Sequence, residues 1–116
     1  MTTRLLSCSS LCGDKVRNTK GEAIGEIKEL MIDLRKGTVE YAVLSFGGIL
    51  GLGDKLFAVP WAAMALDTEE KIFVLDVDID YLKAAPGFDK SDWPDFAAPA
   101  FREQHYSYYR VKLASR

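Results

Sequence analysis

Few side chains in this sequence could do covalent chemistry, and they are widely separated. His105 is the single histidine, and it lies among aromatic residues with no Asp or Ser at a spacing that predicts a catalytic partner. General acid–base or nucleophilic catalysis needs a base held against a nucleophile or a second carboxylate. We therefore expect His105 to pack or to face solvent, and we expect no enzymatic activity.

Two groups of side chains are candidate metal ligands. Cys8 and Cys12 are the two cysteines, but a zinc site needs about four ligands, which one pair and a distant histidine do not supply. Asp76, Asp78 and Asp80 alternate and would share one face of an extended strand. An EF-hand loop would also need its glycine and its distal glutamate. We expect reduced thiols and a solvated acidic face, with no metal and no cofactor.

The glycine-rich segment 47–53 (GGILGLG) resembles a phosphate-binding loop in composition only. A phosphate loop has a helix N-terminus behind its glycines, whereas a strand-like segment follows here. We expect a hairpin loop that carries Ile49, Leu50 and Leu52. These side chains either contact a partner or fold back and cap the domain, and the sequence leaves both arrangements open.

The length and the composition of the chain are typical of one globular domain. The chain has 116 residues, of which 48% are hydrophobic and 28% charged, and its net charge is -2. A general nucleic-acid binder needs a surplus of Lys and Arg, and a membrane-spanning helix needs about 20 apolar residues in a row. Only two leucines precede Cys8, too few for a signal peptide. We expect a cytoplasmic protein that neither binds nucleic acid nor inserts into a membrane.

Turn signals divide residues 11–77 into short strand-like segments, which is typical of an all-β domain. The predicted strands are 11–17, 23–34, 39–46, 55–59 and 72–77, with helical turns at 61–65 and 80–84. Ile24 and Ile27 break the alternation of the second strand beside Gly25, which predicts a bulge there. The predicted core residues are Ile32, Leu34, Val43, Leu44, Val59 and Val74.

The aromatic residues after residue 85 are too widely spaced to form a core of their own. They must pack on the domain or on a second copy, because exposed aromatic surface is unfavourable. Nine acidic residues in 67–95 precede a basic end at 102–116, which favours a homodimer that pairs unlike charges across a two-fold axis. Aromatic residues and Arg are enriched at interfaces. The predicted partner or dimer contacts are Trp93, Phe101, Tyr106, Tyr108, Tyr109 and Arg110.

Several motifs, in order along the chain, resemble those of PRC-barrel domains. They are residues 13–18 (GDKVRN), 21–27 (GEAIGEI), 31–33 with 37–43 (MID and GTVEYAV), 47–55 (GGILGLGDK) and 58–61 (AVPW). The segments at 85–94 and 108–109 look like the extension of free-standing bacterial members. The resemblance implies a small, mainly β barrel of about six strands over residues 11–77. A flexible lead-in at 1–10 would precede it, and a short helical or irregular C-terminal extension at 78–116 would follow.

The resemblance implies two known settings for such a domain. One is the cytoplasmic domain of the photosynthetic reaction-centre H subunit, and the other is the C-terminal domain of a ribosome-maturation factor. The sequence holds neither the membrane helix of the first nor the RNA-facing domain of the second, so we expect neither specific role. The resemblance implies a non-catalytic adaptor that binds a protein partner during assembly of a larger complex. The alternative is a small-ligand or redox-associated domain like the H subunit, which an apolar pocket with convergent polar groups would favour.

Overall fold

The fold is taken from a computed structural model, which describes Leu5 and residues 7–46, 55–67 and 72–111. Its strands are β1 Lys15–Arg17, β2 Ala23–Asp33, β3 Thr38–Ser45, β4 Lys55–Pro60, β5 Met64–Asp67, β6 Ile72–Leu75 and β7 Phe88–Asp89. Its helices are α1 Cys8–Leu11, α2 Ile79–Lys83 and α3 Pro99–Tyr108. A 3-10 turn, Trp61–Ala63, links β4 to β5.

The seven strands of the described residues form one mixed sheet in the order β5-β6-β1-β2-β3-β4-β7. β1 and β6 are parallel, and all other neighbours are antiparallel. The mainly β class is confirmed. The sheet is not closed within the described residues, because β5 and β7 lie at opposite edges. β5 takes up part of the segment expected as a helical turn, and β7 lies after residue 77 and pairs with β4.

The predicted bulge in β2 is present beside Gly25. Val16 of β1 lies opposite Gly25, and Arg17 lies opposite Ala23, so Ile24 is the extra residue. A Cβ atom on Gly25 would lie 2.3 Å from Cδ1 of Phe46, a distance that requires glycine. The change of register lets Ile24 and Ile27 both be buried although they are three residues apart.

The core lies where β1 to β4 and β6 meet. Val43, Leu44 and Val59 are fully buried, as predicted, and Val74 is half-buried. Trp61 packs on Phe73, with 5.3 Å between the ring centroids.

The prediction that Ile32 and Leu34 belong to the core is wrong. Ile32 is 50% exposed and Leu34 is 92% exposed. β1 pairs with β2 only as far as Glu26, so among the described strands the far half of β2 has β3 as its one neighbour. β4 pairs with β3 only as far as Tyr41, so beyond Met31 and Tyr41 the two strands project from the sheet as a two-stranded hairpin. Leu34 lies in the turn that follows β2. Side-chain alternation identifies the faces of a strand but not the point where the neighbouring strand stops.

The C-terminal residues pack on the sheet of their own chain. Leu82 of α2 is fully buried in the main core. A second cluster of buried residues joins Tyr41, Ala58 and Tyr106, with Phe88, Phe96 and Phe101 half-buried against it. At the other end of the chain, α1 begins inside the segment expected as a flexible lead-in, and the Ser7 hydroxyl oxygen caps it by accepting from the Ser10 N–H.

Candidate interaction surface

Tyr41 of β3 is the centre of the aromatic cluster that holds α3 on the sheet. Its ring makes edge contacts with Phe101 at 5.6 Å and with Tyr106 at 5.9 Å between centroids. Tyr106 is buried within the chain and Phe101 is half-buried. Both were predicted as partner or dimer contacts, and the structure shows them in contact with their own sheet.

Tyr108, Tyr109 and Arg110 lie at the end of α3, where they contact α2. The rings of Tyr108 and Tyr81 stack at 4.3 Å, and the Arg110 guanidinium lies 5.1 Å from the centre of the Tyr81 ring. Tyr109 is buried in the main core, and burial raises the pKa of its hydroxyl. The exposed part of this group is Arg110.

Trp93 is the predicted contact residue that most resembles an interface side chain. It is 41% exposed, and its ring packs against Phe88 at 5.2 Å. Its indole N–H donates to the Lys90 carbonyl oxygen at 2.8 Å, which holds the ring in place. Ile49, Leu50 and Leu52, the other predicted contacts, lie outside the described residues.

A groove lies between the projecting β2–β3 hairpin and the start of α3. It has a volume of about 420 Å³, and we call it the hairpin groove. Its apolar lining comes from Met31, Ile32, Leu34, Tyr41, Phe96 and Ala97. Asp33, Arg35, Glu40 and Arg102 also line it. Sequence reasoning missed this surface because Ile32 and Leu34 were assigned to the core.

The two carboxylates of the hairpin groove are engaged by groups of their own chain. Asp33 accepts hydrogen bonds from the backbone N–H groups of Arg35 and Lys36 at 2.9 and 3.2 Å, and these bonds lower the pKa of its carboxyl. Glu40 accepts from the Tyr106 hydroxyl at 3.1 Å. The cations of Lys36 and Arg102 lie 3.8 and 3.7 Å from the Glu40 carboxylate.

The Tyr41 hydroxyl is a buried polar group beside the hairpin groove. Tyr41 is 2% exposed, and its hydroxyl has no hydrogen-bond partner among the described residues. Burial raises the pKa of this hydroxyl to about 12, so the group is neutral at physiological pH and can donate. A buried hydroxyl without a partner costs about 1–3 kcal/mol, so it lowers the stability of the fold by that order.

The residues that could support catalysis have structural contacts. The His105 ring stacks on Phe101 at 3.9 Å, and its Nδ1 donates to the Phe101 carbonyl oxygen at 2.9 Å. Burial lowers the pKa of His105 although this hydrogen bond opposes the shift. The neutral imidazole therefore acts as part of the aromatic cluster.

The candidate metal ligands lie apart or are engaged in pairs. Asp78 lies 3.3 Å from Lys20 in an exposed ion pair, and Asp76 accepts from the Thr19 hydroxyl at 3.2 Å. Cys8 is exposed and Cys12 half-buried, and burial raises the pKa of the Cys12 thiol. Within the described part of the chain, no three His, Cys, Asp or Glu side chains are arranged to hold one metal ion.

The helices of the described ranges are all too short, or too polar, to cross a membrane.

In comparison with known protein families, residues 4–82 match the model of the PRC-barrel domain. This range includes the whole of the sheet except β7, and it includes the β2–β3 hairpin. Among curated proteins, the chain has no match.

Proposed function

Because the chain belongs to the PRC-barrel domain family, we propose that it is a non-catalytic adaptor that binds a protein partner in the assembly of a larger complex. PRC-barrel domains are protein-interaction modules. An adaptor needs a fixed surface that a partner can cover. The hairpin groove is the best candidate for that surface in the described residues.

The observation that carries this proposal is the exposure of Ile32 and Leu34 at the tip of an ordered hairpin. Leu34 is 92% exposed, in a turn held by the Asp33 carboxylate. Covering an aliphatic side chain of this size is worth about 1.5–3 kcal/mol. Exposed apolar residues that adjoin a groove are typical of a protein-binding site.

Cross-linking from the groove tests the proposal. A photoreactive amino acid at position 34 should give an adduct of one discrete mass in the cells that make the protein, and the same group at the exposed Lys83, outside the groove, should not. The partner, identified by mass spectrometry and then purified, should bind the parent chain, and Leu34→Asp should weaken that binding. Equal labelling from positions 34 and 83 would remove the groove as the binding surface.

A homodimer belongs to the same proposal, and Trp93 is the contact that supports it. This ring is exposed but held by Phe88 and by its bond to Lys90, as expected of an ordered interface aromatic. Light scattering should give twice the chain mass for the parent protein and the monomer mass for Trp93→Ser. A parent protein that is monomeric at high concentration would limit the proposal to a one-chain adaptor.

The hairpin groove also bears on the alternative, a small-ligand or redox-associated domain. Its volume of about 420 Å³ lies within the range of roughly 300–1,000 Å³ that is usual for ligand pockets. Leu34 is exposed at the tip of the turn. This favours a protein partner that covers the hairpin and disfavours a small ligand enclosed by the groove. An absorption spectrum of the purified protein tests this alternative, which predicts a chromophore band.

A further inference from the structure

We propose that the hairpin groove binds an acidic peptide segment in which an apolar side chain is flanked by carboxylates. This inference rests on the protein-binding function proposed above and adds the chemistry of the partner. Two features of the groove lead to it: its apolar lining and the sign of the charge around it.

The apolar lining is suited to one or two aliphatic side chains. Ile32 and Leu34 are exposed on the hairpin side, and Phe96 lines the groove from the segment before α3. The Phe96 ring is held by the Tyr41 ring, with 5.7 Å between centroids, so this wall is already ordered before a partner binds. A pre-ordered wall reduces the entropy that a peptide loses on binding.

The exposed charge around the groove is positive by one. Three cations stand around it (Arg35, Lys36 and Arg102), against the carboxylates of Asp33 and Glu40. Lys36 and Arg102 share the single carboxylate of Glu40, whose side chain is only 19% exposed, and the Asp33 carboxylate accepts from the turn. The side chains of Lys36 and Arg102 remain 49% and 32% exposed, and Arg35 is exposed. A partner that covers the groove therefore meets cations, and carboxylates beside its apolar side chain would complement them.

Titration of the full ¹⁵N-labelled chain with short synthetic peptides tests this inference. The first peptide alternates Asp with Leu and has blocked ends, the second has Lys in place of Asp, and the third has Ser in place of Leu. The first should shift the amide signals of residues 31–35, Tyr41 and Arg102, and the other two should shift them much less. Raising the ionic strength from about 0.1 M to about 1 M shortens the Debye length from about 10 Å to about 3 Å and should weaken binding.

Two exposed substitutions separate the apolar and the charged contributions. Leu34→Ser should weaken binding of the first peptide by about tenfold, since burying one leucine is worth at least that factor. Arg35→Glu should weaken it by about threefold, as expected for an exposed ion pair. Lys83→Glu is the control, because Lys83 is exposed on α2 and does not line the groove. Thermal melting should be alike for the parent and all three variants.

Equal binding of the lysine peptide, or shifts confined to residues outside the groove, would overturn the inference. Concentration-dependent self-association that Leu34→Ser abolishes would also overturn it, because the occupant would then be a second copy. Failure of the peptides together with a specific cross-link from position 34 would reject the acidic chemistry and leave the protein-binding function standing. Loss of the cross-link as well would reject both.

Discussion

Tyr81 and Tyr108 each donate a hydrogen bond from the side-chain hydroxyl to the other's backbone carbonyl oxygen, at 2.5 and 2.6 Å. Their rings stack between these two bonds. The pair joins α2 to the end of α3, 27 residues further along the chain. It holds the C-terminal end of α3 against α2, while the Tyr41 ring holds Phe96 and Phe101 at the other end.

The first prediction concerns this reciprocal pair. Tyr81→Phe and Tyr108→Phe should each lower the free energy of unfolding by about 1 kcal/mol, because each removes one hydrogen bond. Urea unfolding of the two single variants and the double variant measures the coupling between them. The double variant should lose less free energy of unfolding than the two single variants lose together, since removing the first hydrogen bond already loosens the second. Strictly additive losses would show that the two bonds act independently.

The second prediction contrasts a buried and an exposed position of the β2–β3 region. Val43→Asp should unfold the protein, because a buried carboxylate without a partner costs several kcal/mol and Val43 is fully buried. Leu34→Asp is the matched control and should change stability by no more than about 0.5 kcal/mol. Circular dichroism melting of both variants is the measurement. Comparable destabilisation by the two substitutions would contradict the projecting hairpin.

The third prediction concerns pH and His105. Burial lowers the pKa of His105 in the folded state below its value of about 6.5 in the unfolded chain. The unfolded chain therefore takes up a proton first as the pH falls. Stability is fully present above the unfolded pKa and is lost as the pH falls from about 6.5 towards the folded pKa.

Comparison of melting at about pH 7.5 and about pH 5.5 measures this effect, since most carboxyl groups titrate below this window. His105→Gln should reduce the loss of stability between the two values, because glutamine keeps a donor but takes up no proton. His105 is the one histidine of the chain, so an unchanged pH dependence in the variant would assign the effect to other groups.

The fourth prediction concerns the close approach at the β2 bulge. Gly25→Ala should destabilise the protein by about 1–3 kcal/mol, the usual cost of overpacking. The added Cβ would meet Cδ1 of Phe46 at 2.3 Å and the Ser45 carbonyl oxygen at 2.7 Å. Phe46→Leu should relieve the first contact but not the second, so the double variant should recover part of the loss relative to the sum of the singles. Chemical unfolding of the four proteins decides this, and a neutral Gly25→Ala would disprove the tight bulge.

Local sequence pattern was sufficient for the class of fold and for much of its core. Turn residues and short alternating segments predicted the strands near 23–34 and 39–46, and the out-of-step pair Ile24 and Ile27 predicted the bulge at Gly25. These features depend on neighbours within a few residues. Val43 and Leu44 could be assigned to the core because both faces of their strand are apolar, and such a strand is buried on both sides in a sheet.

The hairpin groove could not be predicted in the same way, because it depends on where distant segments end. Ile32 and Leu34 have the spacing of core residues, but the pairing of β1 with β2 ends at Glu26, before it reaches them. The sequence around Ile32 does not indicate where that pairing ends. The aromatic residues after residue 85 were expected to pack on the sheet or on a second copy, and the tertiary structure shows Tyr106 against Tyr41 of the same chain.

A small, mainly β domain of the PRC-barrel kind follows from the order of the residues alone, because side-chain period, turn residues and family motifs are local properties of the chain. The groove between the projecting hairpin, the segment at Phe96 and the start of α3 is visible only in three dimensions. It is made by long-range packing: Tyr41 and Arg102 are 61 residues apart along the chain and line the same surface only after the sheet and α3 have come together.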